Sequence, residues 1–534
     1  MNDSNPQVLV VGAGPTGLGT AIELRRRGIQ CRIIERRPGP AHTSRAITVH
    51  ARTLEMLEDM GIVGRFLHGG VRNDGYVFNF KGSDMKAGLD YTRLPTRYPF
   101  VCMFNQNETE KVLRDHLEHD LCLPVEWSTE LTSIEESADG TVTVSLNHTT
   151  GDSESEEVIK PDWVIACDGL HSPTRECLGF KYEGSEYEGL VMQMVDAELE
   201  NFVGSDHMLH YYIAKDTFLM IGKLAGPNHR VLVSSQGDSG EFAREDHVGP
   251  IVADHLPAVK IGEPEWKTTW EIWIRKADAY RKGHVFLCGE SAHVHSVAGG
   301  QGWNVCIQDA YNLVWKIALV IQGYAKPALL DTYEREREPV TDQVIEGSSA
   351  VHEIILAHGQ GLADRMALTQ SENWQDNAVA RISGLSYNYR GLIELPPGTA
   401  THWDPAIGDR APDVTISEHL RLHQLFSHTR LTLLSILGQA QAGQLANAAA
   451  ALNAIQAGYA ACVKFELIAP TVPHPWPALL PIADPEGKVA HTLNVSDNGE
   501  FVLVRPDGYI GFRCNIDEYA LLERYLESFL IKPS

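Results

Sequence analysis

The sequence predicts an α/β protein in which a parallel-sheet nucleotide-binding unit is interrupted by a β-rich insertion and followed by a separate C-terminal domain. Three observations predict it. The first is the run VLVVGAGPTGLGTAIELRRRGIQCRIIERR, Val8 to Arg37, which reads strand, G-x-G-x-x-G, helix, strand. The second is a pair of later strand–turn segments, DWVIACDGLHSPTR and GHVFLCGESAHVHSVAGGQGWNVCIQDAYNLVWKIAL. The third is the stretch between those two segments, where HYYIAKDTFLMIGKL and TTWEIWIR alternate with the period of half-buried strands.

Val8, Leu9, Val10 and Val11 form a short apolar run of the kind that makes a parallel strand covered on both faces. In the Rossmann-like turn that follows, Gly12 permits the tight bend and Gly14 lets the backbone approach a pyrophosphate. Gly17 packs the helix on the strand. Pro15 and Thr16 open that helix, whose N-terminal amides face phosphate charge. Its pattern turns Leu18, Ile22 and Leu24 inward and Glu23, Arg25, Arg26 and Arg27 outward. The next strand, Cys31 to Ile34, ends in Glu35, placed to accept from a ribose hydroxyl and to disfavour a 2′-phosphate; Arg36 adjoins it. The glycines alone also fit a tight turn, but the whole unit predicts a dinucleotide site.

The two later segments decide which dinucleotide. A strand from Trp163 to Ala166 leads into Asp168-Gly169, Ser172 and Arg175. A strand from Val285 to Leu287 leads into a Gly289-Glu290 turn, a loop with Gly299, Gly300 and Gly302, and a helix starting near Asn304. That helix buries Ile307, Leu313, Ile317 and Val320, and its N-terminus aims peptide dipoles at the electron-rich pyrimidine edge of a flavin. Either segment alone also reads as a crossover with glycine for packing. All three units in this order point to FAD.

These residues resemble the single-component FAD-dependent aromatic hydroxylases, the phenol hydroxylase and para-hydroxybenzoate hydroxylase family. GAGPTG resembles the family's ADP-binding fingerprint, CDGLHSPTR its D-G motif and GESAHVHSVAGGQGWN its G-D motif. The stretch from Gln106 to Leu113 is similar to its Q-x-x-x-E-x-x-L. The resemblance spans nearly the whole chain. It implies FAD held by Gly12, Gly14, Pro15, Thr16, Gly17, Glu35, Arg36, Arg45, Gln106, Asp168, Gly289, Glu290, Gly300, Gly302, Trp303 and Asn304. Arg45 is included because its position resembles that of a family arginine contacting flavin. It also implies NADPH or NADH as transient reductant, with O2 and a small aromatic substrate as partners. Four residues depart from the pattern: Glu290 replaces an aspartate, Val297 a proline, and Trp303 and Cys306 more usual residues near the flavin.

The expected organisation is an FAD-binding domain at 1–186, continued at 276–395, with 75–100 contributing to the substrate site. The β-sheet substrate domain occupies 187–275. A Pro/Gly/Asp-rich linker after Leu395 leads to 400–534, which carries an Ala-rich run from Ala440 to Ala461 and strands at Cys462–Ile468 and Phe501–Arg505. This last domain resembles the family's thioredoxin-like tail without a redox cysteine pair, so it reads as structural, with a homodimer left open.

Composition excludes other classes. With 534 residues, 43% of them hydrophobic, the chain can bury a large core. A formal charge of -25 argues against nucleic acid, which needs clustered Lys and Arg. Nine scattered cysteines without C-x-x-C fit a reducing cytoplasm. No apolar run approaches the ~20 residues that span a bilayer, and the N-terminus lacks a signal-peptide pattern.

A phenol becomes a better nucleophile on losing its proton, so the site needs a base or a pKa-lowering environment. The candidates are Tyr211, His50 and His210, with Tyr212 and Arg52 beside them. Tyr211 and Tyr212 alternate across a strand, so only one faces the ring. Each also reads as ordinary packing. His293 and His295 invite a metal, but no third ligand accompanies them, and none is expected. The expected activity is NAD(P)H- and O2-dependent hydroxylation of an electron-poor chloro- or nitro-substituted phenol or catechol, with loss of chloride or nitrite. The alternatives are hydroxylation of a simple phenol or polyketide at an unsubstituted position, a flavin oxidase or reductase, and an inactive FAD-carrying scaffold.

Overall fold

The computed structural model describes residues 5–41, 46–235, 246–355, 361–437, 442–470 and 481–532. Val8–Val11 pairs in parallel with Cys31–Glu35 on one side and Trp163–Ala166 on the other. Trp163–Ala166 pairs in parallel with Val285–Leu287. The three glycine-bearing turns therefore emerge from the carboxyl ends of three adjacent strands, where open parallel sheets bind ligands. Arg281–Lys282 and Glu126–Trp127 complete the six-stranded sheet at its edges. Helices Pro15–Arg26 and Gly302–Ile321 share its apolar core. The second begins two residues before the expected Asn304, and Val320 is only partly buried. One expectation fails: Glu23 and Arg27 are buried, not outward. The reason is that the helix end is roofed by the C-terminal domain, where Arg27 bonds the His428 carbonyl, and Glu23 is neutralised by Arg26 at 2.6 Å and by Arg27.

The β-rich region forms an eight-stranded sheet that recruits strands from outside it. Gly75–Phe80 pairs in parallel with Met208–Ile213, and Lys86–Asp90 forms the edge beyond. At the opposite edge His293–Val294, immediately after the Gly289-Glu290 turn, pairs with Arg275 and Lys276. The sheet is thus stitched to the glycine-bearing segment by main-chain bonds. Alternation splits its two faces. Met192, Met194, Leu209, Tyr211, Phe218 and Met220 look inward. Val191, Val195, Leu219, Ile221 and Val231 pack outward against helix Val248–His255.

In the C-terminal region, helix Ala442–Tyr459 crosses between parallel strands Leu431–Ile436 and Val463–Ala469. Glu500–Val504 and Ile510–Asn515 add antiparallel strands. Among the described residues no helix is long and apolar enough to cross a membrane. The domain is clamped to the rest by a buried charge cluster. Glu336 accepts from Arg505 at 2.8 and 2.8 Å, from Lys316 at 2.8 Å and from Asn312 at 2.7 Å, while Asp507 takes the other side of Arg505.

Burial alone would raise the Glu336 carboxyl, but Arg505 and Lys316 hold it far below the usual carboxylate range. A depressed folded-state pKa contributes stability that is full above the unfolded value of about 4.3 and lost as pH falls below it. Glu336→Gln leaves two buried cations facing Asp507 alone and should cost about 3–5 kcal/mol in urea unfolding near neutral pH. It should also flatten the acid limb of stability against pH. An acid limb identical to that of the unsubstituted protein would contradict this role.

Candidate active site

One cavity of about 530 Å³ runs from the first glycine turn to the inner face of the eight-stranded sheet. Gly14, Glu35 and Asp168 stand at one end, Gly302 and Trp303 in the middle, and Met192 and Tyr211 at the other.

At the first end the glycines divide their tasks. Gly12 has φ +100°, and a Cβ there would lie 2.4 Å from the Cys167 carbonyl oxygen. A Cβ on Gly17 would lie 1.8 Å from the Gly12 oxygen. Gly14 differs: a Cβ there meets no atom within 4 Å, so its surroundings are free space in front of the helix N-terminus. Glu35 fastens this loop. Its Oε2 accepts from the Ala13 amide at 2.9 Å, and its Oε1 from the Arg37 amide and Nε, each at 3.0 Å. Burial opposes ionisation, but these donors keep the carboxyl below its usual range. The Asp168 Oδ2 accepts from the Thr174 amide at 3.1 Å, while its Oδ1 is buried without a hydrogen-bond partner. Burial pushes this carboxyl up. A hydroxyl-rich, pyrophosphate-bearing ligand fits both the open space at Gly14 and the orphaned oxygen. Gln106 also lines this end, accepting from the Ala46 amide at 3.2 Å and donating to Glu110 at 3.0 Å. Pro15 and Thr16 line the wall, Arg36 is exposed at the rim, and Arg45 lies outside the described residues.

In the middle, Gly289 has φ +69°, and a Cβ there would press on Thr16 and Cys306. Beneath it Asp309, on the long helix, accepts from the Gly289 amide at 3.2 Å, His293 Nε2 at 2.7 Å and Arg337 Nε at 2.6 Å. Burial opposes ionisation of Asp309, but Arg337 and His293 hold its carboxyl below the usual range. Sequence reasoning missed this anchor; its one signal was a lone acid among Ile307, Ala310 and Leu313 on a buried helix. Arg175 ties the second and third turns together, donating to the Ser291 and Leu170 carbonyls at 3.0 and 2.8 Å. Glu290 lies exposed on the cavity lining, its carbonyl accepting from Tyr182 at 3.0 Å. Thr48 organises the glycine loop: its hydroxyl donates to the Gly300 carbonyl at 2.8 Å, and its carbonyl accepts from Trp303 Nε1 at 3.0 Å and Asn304 Nδ2 at 2.8 Å. Gly300, Gly302 and Trp303 line the cavity, while Asn304 stands behind it, holding Thr48 and the His50 amide.

The proton-handling candidates separate clearly. Tyr211 lines the cavity among the rings of Tyr76, Phe78 and Phe218, and burial with Tyr76 beside it holds its hydroxyl protonated far above the usual range. Tyr212 faces the opposite side against His255, as alternation requires. The structure does not bring the two histidines to the cavity wall. His210 bonds the Ser205 carbonyl at 3.0 Å beside Phe202, on the outer side of the sheet. His50 bonds the Gly299 carbonyl at 2.9 Å behind the glycine loop, and burial lowers it to about 4. Arg52 pairs with Glu55 at 3.0 Å and reaches the Asp507 carbonyl, so it belongs to the domain seam. His295, weighed from sequence only as a metal neighbour, does line the cavity.

The glycines make a discriminating prediction. Gly14→Val should fold with stability within about 1 kcal/mol of the unsubstituted protein yet fail to retain FAD, because its Cβ meets no protein atom within 4 Å and its side chain enters ligand space. Gly12→Val should lose both fold and FAD. Full FAD content in purified Gly14→Val would refute the assignment of this loop.

Residues 5–348 match the FAD binding domain family, and residues 404–533 match the aromatic-ring hydroxylase C-terminal family. The chain is 42% identical over 537 residues to pentachlorophenol 4-monooxygenase of Sphingobium chlorophenolicum, covering 98% of this chain and 97% of that one. It is 32% identical over 549 residues to 6-methylpretetramide 4-monooxygenase of Streptomyces rimosus, covering 99% and 94%. Among solved structures it is similar to aklavinone-11 hydroxylase in a ternary complex with FAD and aklavinone, with a TM-score of 0.75 at 25% identity over 99% of this chain and 100% of that one. The cavity has the free space, helix N-terminus and orphaned acceptor that a flavin dinucleotide requires, and the chain belongs to the single-component FAD-dependent aromatic hydroxylases.

Proposed function

We propose that this flavin monooxygenase acts on electron-poor phenols or catechols bearing chloro or nitro groups, inserting oxygen at the substituted carbon. The observation that carries this reading is the inner end of the cavity. Met192, Met194, Met220, Phe218 and Trp270 line it together with Tyr211. Thioether and aromatic walls are polarizable and adaptable, which suits a ring carrying large, soft substituents. Arg230 also reaches this wall, but Asp196 holds it through two bonds of 2.7 Å and offsets its charge. The 42% identity to pentachlorophenol 4-monooxygenase supports the same substrate class.

Bound FAD, reduced by NADPH or NADH, supplies electrophilic oxygen from O2. The protein's own residues then orient the ring and manage its proton. The Gly302 helix N-terminus and the Thr48–Trp303–Asn304 bonds fix the loop facing the flavin. Met192, Met194 and Met220 exclude water and hold the ring on the sheet side. Tyr211 stays protonated near neutral pH, so it serves as a hydrogen-bond donor that stabilises charge on the ring oxygen as the phenol proton leaves to a base. One atom of O2 ends on the ring carbon and the other in water. The chloride or nitrite departs with its bonding pair, leaving a quinone. In this reading Glu35, Gln106, Asp168, Gly289 and Glu290 hold FAD, and residues 400–534 form a thioredoxin-like structural domain able to support a homodimer. All nine cysteines are free, which supports a cytoplasmic setting.

A panel of chloro- and nitrophenols should show NAD(P)H, O2 and phenol consumed in step with one halide or nitrite released. NAD(P)H oxidation without product would favour an oxidase or reductase, and hydroxylation without release would favour attack at an unsubstituted carbon. Tyr211→Phe should slow an unactivated phenol far more than a nitrophenol, which arrives already ionised, while Tyr212→Phe changes neither. Equal rates for Tyr211→Phe and the unsubstituted enzyme on both substrates would make the tyrosine a packing residue.

A further inference from the structure

Among the described residues, two buried side-chain polar atoms without partners belong to residues lining the cavity: Asp168 Oδ1 at the nucleotide end and Nε2 of His295. The second has no task in the mechanism so far. His295 Nδ1 lies 3.0 Å from the Ser296 carbonyl. A carbonyl oxygen only accepts, so Nδ1 carries the hydrogen and the lone pair of the neutral ring sits at Nε2. His295 directly follows His293–Val294, the edge strand bonded to Arg275 and Lys276 of the substrate sheet. It precedes Val297, which packs against the same apolar cluster as Tyr211. His295 therefore stands where the eight-stranded sheet meets the glycine loop.

We propose that Nε2 of His295 accepts the hydrogen of the aromatic substrate's hydroxyl and takes its proton. The O–H bond breaks, an N–H bond forms at Nε2, and the electron pair stays on the ring oxygen, where it drives attack on the electrophilic oxygen. This inference rests on the phenol reading above. Burial holds the free imidazole at about 4, with His293 opposing a second positive charge and Asp309 favouring it. A phenolate against Nε2 supplies a counter-charge to the imidazolium. Tyr211, a donor in the same cavity, is then free to give its hydrogen to the phenolate oxygen.

The test needs no turnover. Para-nitrophenol is titrated into the FAD-loaded enzyme across a pH series, and the bound ligand's absorbance reports the fraction present as phenolate. The unsubstituted enzyme should lower the midpoint of the bound phenol relative to the free compound. His295→Gln, whose amide cannot take the proton, should raise that midpoint by about one pH unit or more, a tenfold loss of phenolate stabilisation, with FAD content and flavin spectrum unchanged. Tyr212→Phe should leave the midpoint in place. Should His295→Gln not fold, His295→Asn carries the same comparison. An unchanged midpoint, or a changed flavin spectrum with an unchanged phenol, would overturn the proposal while leaving the phenol reading intact. Failure of the unsubstituted enzyme to bind any phenol of the panel would overturn both.

Discussion

The site depends on one buried carboxylate. Asp309 takes hydrogen bonds from Arg337, His293 and the Gly289 amide, all within 3.2 Å. An isolated ionised acid at that depth would cost many kcal/mol, and the two flanking side chains offset it. The same three bonds fix the long helix Gly302–Ile321 against the third glycine-bearing turn. That fixes the direction in which the helix N-terminus points, and with it the part of the cavity lined by Gly302 and Trp303.

The constraint extends outward through the chain. His293 is both a partner of Asp309 and the first residue of the strand at one edge of the eight-stranded sheet. Position of the third glycine-bearing turn and position of the eight-stranded sheet are therefore coupled through His293 and its neighbour Val294. Thr48 couples a second pair in the same manner, holding Gly300 with its hydroxyl and Trp303 and Asn304 with its carbonyl. On the far side of the long helix, Glu336 and Arg505 join the C-terminal domain to the same scaffold. The helix thus contacts both the charge cluster at the outer domain and the cavity wall.

Much of this was legible because its signals are local. Val8–Val11, Trp163–Ala166 and Val285–Leu287 are short apolar runs ending in glycine turns, and each became a strand at its expected bounds. Alternation separated Tyr211 from Tyr212 correctly. The unforeseen parts are pairings between distant residues. Glu23 and Arg27 read as a solvated face until the C-terminal domain covers them. Asp309 meets Arg337, and Glu336 meets Arg505, across separations that no helical period encodes. His50 and His210 sat beside suggestive residues, yet Nε2 of each is taken by the Gly299 or Ser205 carbonyl and neither ring lines the cavity, a placement only the folded chain reveals. His295 shows the converse, a histidine that both lines the cavity and keeps a ring nitrogen without a partner.

The most direct measurement is a crystal structure of the FAD-loaded enzyme soaked with a bromophenol, with bromine located by anomalous scattering. The bromine should lie among Met192, Met194 and Met220, with the ring oxygen toward Tyr211 and His295 and the flavin against the Gly302 helix N-terminus. Bromine outside the cavity, or a ring oxygen turned away from both side chains, would contradict the account.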